Sequence, residues 1–183
     1  MSQHADRYRR IAARFTETVR AVPAGAWENP APPEGWVARD VVGHLVAWLP
    51  AYFFSTWDID APTAPTVDED PVAAWEALDR VLQAAFDDPE VAGREQETRM
   101  GRSTFAETFD MIGTNDIFLH TWDLARAAGL DETLDPDEVH TLLVGMEPYD
   151  EVLRQSGHYG PRVAVPDDAS EQDRLIAFIG RRP

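Results

Sequence analysis

Asn115-Asp116-Ile117-Phe118-Leu119-His120-Thr121-Trp122-Asp123-Leu124-Ala125-Arg126-Ala127-Ala128-Gly129 is the stretch from which this chain is best read. Nothing in it breaks a helix until Gly129, a favoured residue just past a helix end. Upstream, Phe105, Phe109 and Ile112 continue the apolar pattern at three- and four-residue steps. Thr104 with Glu107 three residues on carries a capping-box signature. One long helix from Ser103 or Thr104 to about Ala128 is predicted. Its inward stripe then runs through Asp116, Leu119/His120, Asp123 and Ala127, so titratable groups fall where leucine is expected. A carboxylate turned into a core must be neutralised, paired or metal-bound. Asp116 and His120 stand four residues apart, which places their Cβ atoms roughly 5–6 Å apart on one helix face. They can grip one divalent cation or bond to each other.

The rest of the chain repeats the helical pattern. Tyr8, Ile11, Ala12, Phe15, Val19 and Val22 mark a helix from about Gln3 to Val22. A Pro/Gly-rich loop leads to a second helix from near Trp36 to about Trp57, with Pro50 as an expected kink. Asp60 to Asp70 reads as an acidic loop. A third helix opens at Pro71, a favourable first position, and stops at Asp88-Pro89. Glu90 to Arg102 is a charged excursion. A fifth helix is expected from Pro136 to about Gln155, and a short C-terminal one from Ser170 to Ile179 docks Leu175, Ile176 and Phe178. With no convincing strand pattern, the expected fold is all-α: an antiparallel four-helix bundle with an additional short C-terminal helix, residues 1–183 forming one domain.

His44 breaks the stripe of the second helix as Asp116 and His120 break theirs. His44, Asp116 and His120 are therefore the candidate metal ligands. Three protein ligands leave coordination positions open, the pattern of a catalytic site. Asp40 is given a supporting role behind His44 or a place at the helix start, where a carboxylate favours the dipole. Asp123 supports His120 or pairs with Arg126 on the surface. His4, His140 and His158 read as solvated or loop residues. Trp36, Trp48, Trp75 and Trp122 read as core, and Trp57 as lining a pocket mouth.

Composition removes several function classes. The chain has 183 residues and a formal net charge of −17, which argues against nucleic acid and against anionic membrane surfaces. It has no cysteine, so disulfides, Fe–S ligation and a cysteine nucleophile are excluded. All 16 basic residues are arginine, which excludes a Schiff-base lysine. No Gly-x-Ser-x-Gly elbow and no phosphate-cradling Gly-rich loop is present. The polar opening and the lack of an 18-residue apolar run lead us to expect a cytoplasmic protein.

Two segments carry a family resemblance. Trp36-Val37-Ala38-Arg39-Asp40-Val41-Val42-Gly43-His44-Leu45 resembles the second-helix motif of the DinB / mycothiol-dependent maleylpyruvate isomerase N-terminal superfamily. Asp116-x-x-x-His120-Thr121-Trp122-Asp123-Leu124-Ala125-Arg126-Ala127 resembles its later helix, often written Glu-x-x-x-His-Gly-Trp-Asp-Leu-Ala. The ending Val165 to Leu175 with Gly180-Arg181-Arg182-Pro183 is similar to a mostly actinobacterial subgroup. The resemblance implies a bundle that holds a divalent metal, zinc first and nickel second, through His44, Asp116 and His120. It also implies a low-molecular-weight, mycothiol-like thiol deprotonated at that metal to attack an electrophilic substrate. Asp116 replaces the family's Glu and is one methylene shorter. The isomerase's separate C-terminal domain has no counterpart here.

Two functions follow as expectations: a metal-dependent thiol transferase or isomerase, or a metal- or small-ligand-binding bundle without turnover. For the first, Arg39 and Arg102 are candidate carboxylate binders, and Tyr52, Tyr149 and His158 candidate proton donors. A homodimer is a further expectation.

Overall fold

The computed structural model describes residues 2–98, 101–155 and 159–183. Helix α1 spans Gln3–Ala21, with the Ser2 hydroxyl accepting from the Ala5 N–H at its start. Helices α2 (Ala38–Trp57) and α3 (Pro71–Asp87) follow. Asp70 caps α3 by accepting from the Ala73 N–H, with Pro71 behind it as expected. A single turn, α4 (Pro89–Ala92), and a two-stranded hairpin then lead into the site-bearing helix. In the hairpin β1 (Glu95–Thr98) and β2 (Gly101–Thr104) pair antiparallel, Glu95 opposite Thr104. This hairpin falls largely within the charged excursion and adds two short strands to the otherwise helical fold.

The long helix forms as predicted but is not uniform. It comprises α5 (Phe105–Phe109), a π-helical segment (Asp110–Thr114) and α6 (Asn115–Ala128). The capping box is present: Thr104 Oγ1 accepts from the Glu107 N–H at 3.2 Å, and Glu107 Oε2 from the Thr104 N–H at 3.0 Å. Gly113 lies in the wide turn, where a Cβ would sit 2.8 Å from the Phe109 ring. The π segment shifts the apolar stripe, so Gly113 and Thr114 are buried and Ile112 only partly so. From Ile117 to Ala125 every residue of α6 is buried, with α1 and α2 packed on it and the C-terminal tail reaching it at Asp123 and Arg126.

Side-chain pairs fix the directions of the helices. Tyr8 stacks on Phe86 while Trp75 bonds Thr16, so α1 and α3 are antiparallel. His44 meets Asp116 and Phe53 meets Phe109, so α2 and α6 are antiparallel as well. His4 meets Asp110 and Arg14 meets Asp131, so α1 and the α5–α6 rod run parallel. It follows that α2 and α3, which pack side by side, also run parallel. The bundle is up-down-down-up, with α1 diagonal to α2. The Asp58–Asp70 connection must return along α2. Arg39 near the start of α2 accordingly donates to the Asp68 carbonyl, and a methyl on Gly43 would touch Val67 at 3.9 Å.

Two other expectations need correction. The fifth helix is broken: α7 (Pro136–Met146) gives way to a 3₁₀ turn at Glu147–Tyr149, and α8 (Asp150–Gln155) follows. Pro148 has no N–H and its ring clashes with the carbonyl four residues back, which ends the α-helix. Trp57 does not line a pocket; it is fully buried against Phe53 and Phe105. The C-terminal helix α9 (Glu171–Phe178) docks Leu175, Ile176 and Phe178 as expected. Among the described residues, no helix is long and apolar enough to cross a membrane.

Candidate metal centre

The antiparallel contact of α2 with α6 brings His44, Asp116 and His120 together. One donor atom from each lies within 4.8 Å of the others. His44 Nε2 is 3.2 Å from Asp116 Oδ2, and His120 Nε2 is 3.5 Å from Asp116 Oδ1. Zinc–nitrogen bonds of ~2.0–2.1 Å put tetrahedral donors ~3.4 Å apart. The two separations from Asp116 are close to that spacing, and with one donor atom per residue all three lie within 4.8 Å, so the group could close on a divalent cation with small side-chain adjustment. The shorter Asp116 side chain reaches the cluster.

Asp116 and His120 are each oriented by a neighbour. Asp123 is fully buried, and its Oδ2 accepts from His120 Nδ1 at 2.9 Å. That bond directs the Nδ1 proton to Asp123 and leaves Nε2 turned toward Asp116. The Trp48 indole N–H donates to Asp116 Oδ2 at 2.8 Å. Trp36 stacks on His120 at 5.8 Å between ring centres and stands 5.1 Å from His44. It is held in a turn where the Trp36 N–H donates to the Pro33 carbonyl and Gly35 takes a φ of +80°. The cluster opens toward solvent on the His44 side, where the imidazole is 32% exposed.

The charges are mutually supporting. Burial pushes the Asp116 carboxyl up, but His120, His44 and Trp48 outweigh it and hold it below the usual carboxylate range. Burial pushes His120 down, but Asp116 and Asp123 raise it above the ordinary imidazole value against opposition from Arg181. Burial and the Asp116 charge both raise the Tyr159 phenol, so it keeps its proton at neutral pH.

The supporting residues differ in part from those expected. The Asp40 carboxylate accepts from the Val37 N–H at the start of α2, 2.9 Å away, and so serves the helix end. Asp123 faces inward to His120 and Arg181, while Arg126 pairs with Glu132 and lies over the Trp122 ring. Arg39 is engaged by Glu28, and Arg102 by Glu95 on the hairpin. His4 is half-buried and bonds Asp110 at 2.7 Å; His140 is exposed beside Glu171. His158 lies outside the described residues. Trp36, Trp48, Tyr159 and Arg181 were not singled out for the site. Trp48 stands four residues after His44, a same-face spacing that would have placed it there. Arg181 carries no such local signal.

No family model matches the chain, and no solved structure matches it. Two curated relatives do, both from Mycobacterium tuberculosis: the uncharacterized protein Rv0738 of strain H37Rv and the uncharacterized protein MT0763 of strain CDC 1551. Each is 25% identical over 176 residues, covering 95% of this chain and 95% of the relative. The match is distant homology along nearly the full length. The His/His/Asp group is consistent with the DinB-like resemblance.

Proposed function

We propose that this chain binds one divalent cation through His44, Asp116 and His120 and uses it in a thiol-dependent transfer or isomerisation. The observation that carries the reading is the convergence of the three donors from two helices, within 4.8 Å, with one imidazole held by a buried carboxylate. Zinc is the first expectation for the metal and nickel the second; the same donor types serve ferrous iron in other folds. A cation held there would supply Lewis acidity, lowering the pKa of a coordinated thiol into the neutral range. The thiol must come from outside, since the chain has none.

The protein's own groups have distinct tasks. His44 and Asp116 present donors at the open side, and Asp123 keeps the Nδ1 proton of His120 in place. Trp36 covers the imidazoles and limits water on that face.

Elemental analysis of the untagged protein tests the metal. About one metal per chain, lost in folded His44→Ala and His120→Ala variants, is the expected result. Thiol-dependent consumption of an electrophile such as chlorodinitrobenzene or maleylpyruvate then tests the chemistry. Metal without such turnover would leave a metal-binding bundle. A metal-free protein after reconstitution overturns both readings.

A further inference from the structure

Arg181 reaches the back of the site from the C-terminal tail. Its Nε and Nη2 donate to Asp123 Oδ1 and Oδ2 at 3.1 and 3.3 Å. Asp123 is wholly buried, and among the described residues its bonds are to His120 and Arg181. A fully buried carboxylate with a single imidazole N–H on one oxygen leaves the other oxygen without a partner. The two-pronged guanidinium satisfies both oxygens and fixes the plane of the carboxylate. The line Arg181–Asp123–His120 therefore sets how the imidazole is presented to Asp116 and His44.

The tail is built to hold Arg181 there. Helix α9 ends at Phe178, Gly180 takes a φ of +87°, and the Arg181 N–H returns to the Ile176 carbonyl at 3.0 Å. Gly180 packs directly on Gly160: a Cβ at 180 would lie 2.8 Å from the Gly160 Cα. Arg154 bridges the same two segments by donating to the Gly160 and Phe178 carbonyls. Tyr159, next to Gly160, is thereby anchored with Arg181.

We infer that Arg181 is a positioning residue of the metal centre, acting through Asp123 to fix the donor face of His120, so that the tail is a working part of the site. The inference rests on the metal-binding reading above. The test uses the full untagged chain with cobalt(II) as probe, reading affinity by competition with a chelator and ligand geometry by the visible absorption of bound cobalt. Arg181→Ala is expected to bind cobalt about 10–100-fold more weakly, the range for loss of a partner behind a metal-bound histidine, with a shifted spectrum. Millimolar guanidinium is expected to restore the affinity and spectrum of Arg181→Ala, and urea, of similar shape but uncharged, is not. Should Arg181→Ala not fold, Arg181→Gln keeps the first part of the stem and a polar tip without the charge, and is expected to show the same weakening. Wild-type affinity and spectrum in the folded variant overturn the inference alone. Failure of the wild-type protein to bind cobalt overturns it together with the metal reading.

Discussion

Replacing Asp116 by Asn removes one negative charge from the cluster and little else. The amide oxygen can still accept the Trp48 indole N–H, now 2.8 Å from Oδ2, so the local packing survives. A unit charge about 2.1 Å from a dication is worth ~4 kcal/mol even at the dielectric constant of water. Affinity for metal should therefore fall by more than a hundredfold. Metal at about 100 times the wild-type dissociation constant stabilises the folded chain by ~2.7 kcal/mol. A chain of this size gains about 2–4 °C in melting temperature per kcal/mol, so the wild-type midpoint should rise by about 5–11 °C. At the same concentration the variant would be at or below half-saturation, worth at most ~0.4 kcal/mol and about 1–2 °C. Melting followed by circular dichroism, with zinc, nickel or cobalt against a chelator, measures both shifts. Equal metal-induced shifts in Asp116→Asn and wild type would refute the assignment of Asp116 as a ligand.

Three further outcomes follow from the bundle itself. The buried Tyr8 hydroxyl donates to Asp79 Oδ1 at 2.7 Å, and burial followed by the Asp79 charge raises its pKa well above the ordinary phenol value. Its contribution is complete below about pH 10 and drains away as pH climbs from there through the folded-state value. The urea midpoint should fall over that alkaline range, and a Tyr8→Phe variant with the same slope would count against this. Gly113→Ala presses a methyl into the buried Phe109 ring, at ~1–3 kcal/mol for overpacking against ~1 kcal/mol gained in helix propensity. A melting temperature lowered by several degrees is expected, and an unchanged or raised one would mean that the ring can yield. Thr104→Ala removes the cap of α5 and should cost about 0.5–2 kcal/mol in chemical unfolding, with metal affinity unaltered.

The four long helices and the three inward-facing candidates were legible because each rests on spacing along its own helix. Apolar residues at three- and four-residue steps mark helices wherever one face is buried, and His44, Asp116 and His120 interrupt those faces. Helix directions were not legible. The Asp58–Asp70 connection has the composition of any surface loop, and only its contacts with Arg39 and Gly43 reveal that it runs back along α2. The π segment was hidden because one extra residue leaves composition and caps unchanged. Arg181 was hidden because its partner lies 58 positions away in sequence, and a surface arginine and a buried one read alike. Asp123 was half legible: the pattern turned it inward, yet Arg126 three residues on offered an equally good local partner. The structure resolves this by giving Arg126 to Glu132.

The wide turn at Asp110–Thr114 also tells how the length of this rod can vary. A π turn is an α-helix carrying one surplus residue, because its bonds reach five residues back instead of four. Deleting one residue there would return the rod to uniform α winding, with Phe105 and Asp116 still on their original faces. The same deletion beyond Asp116 would turn His120 and Asp123 about 100° around the axis, since each residue occupies that share of a turn. Among the stretches of the rod, this one is where a lost residue would be absorbed, and relatives that differ in length are expected to differ here.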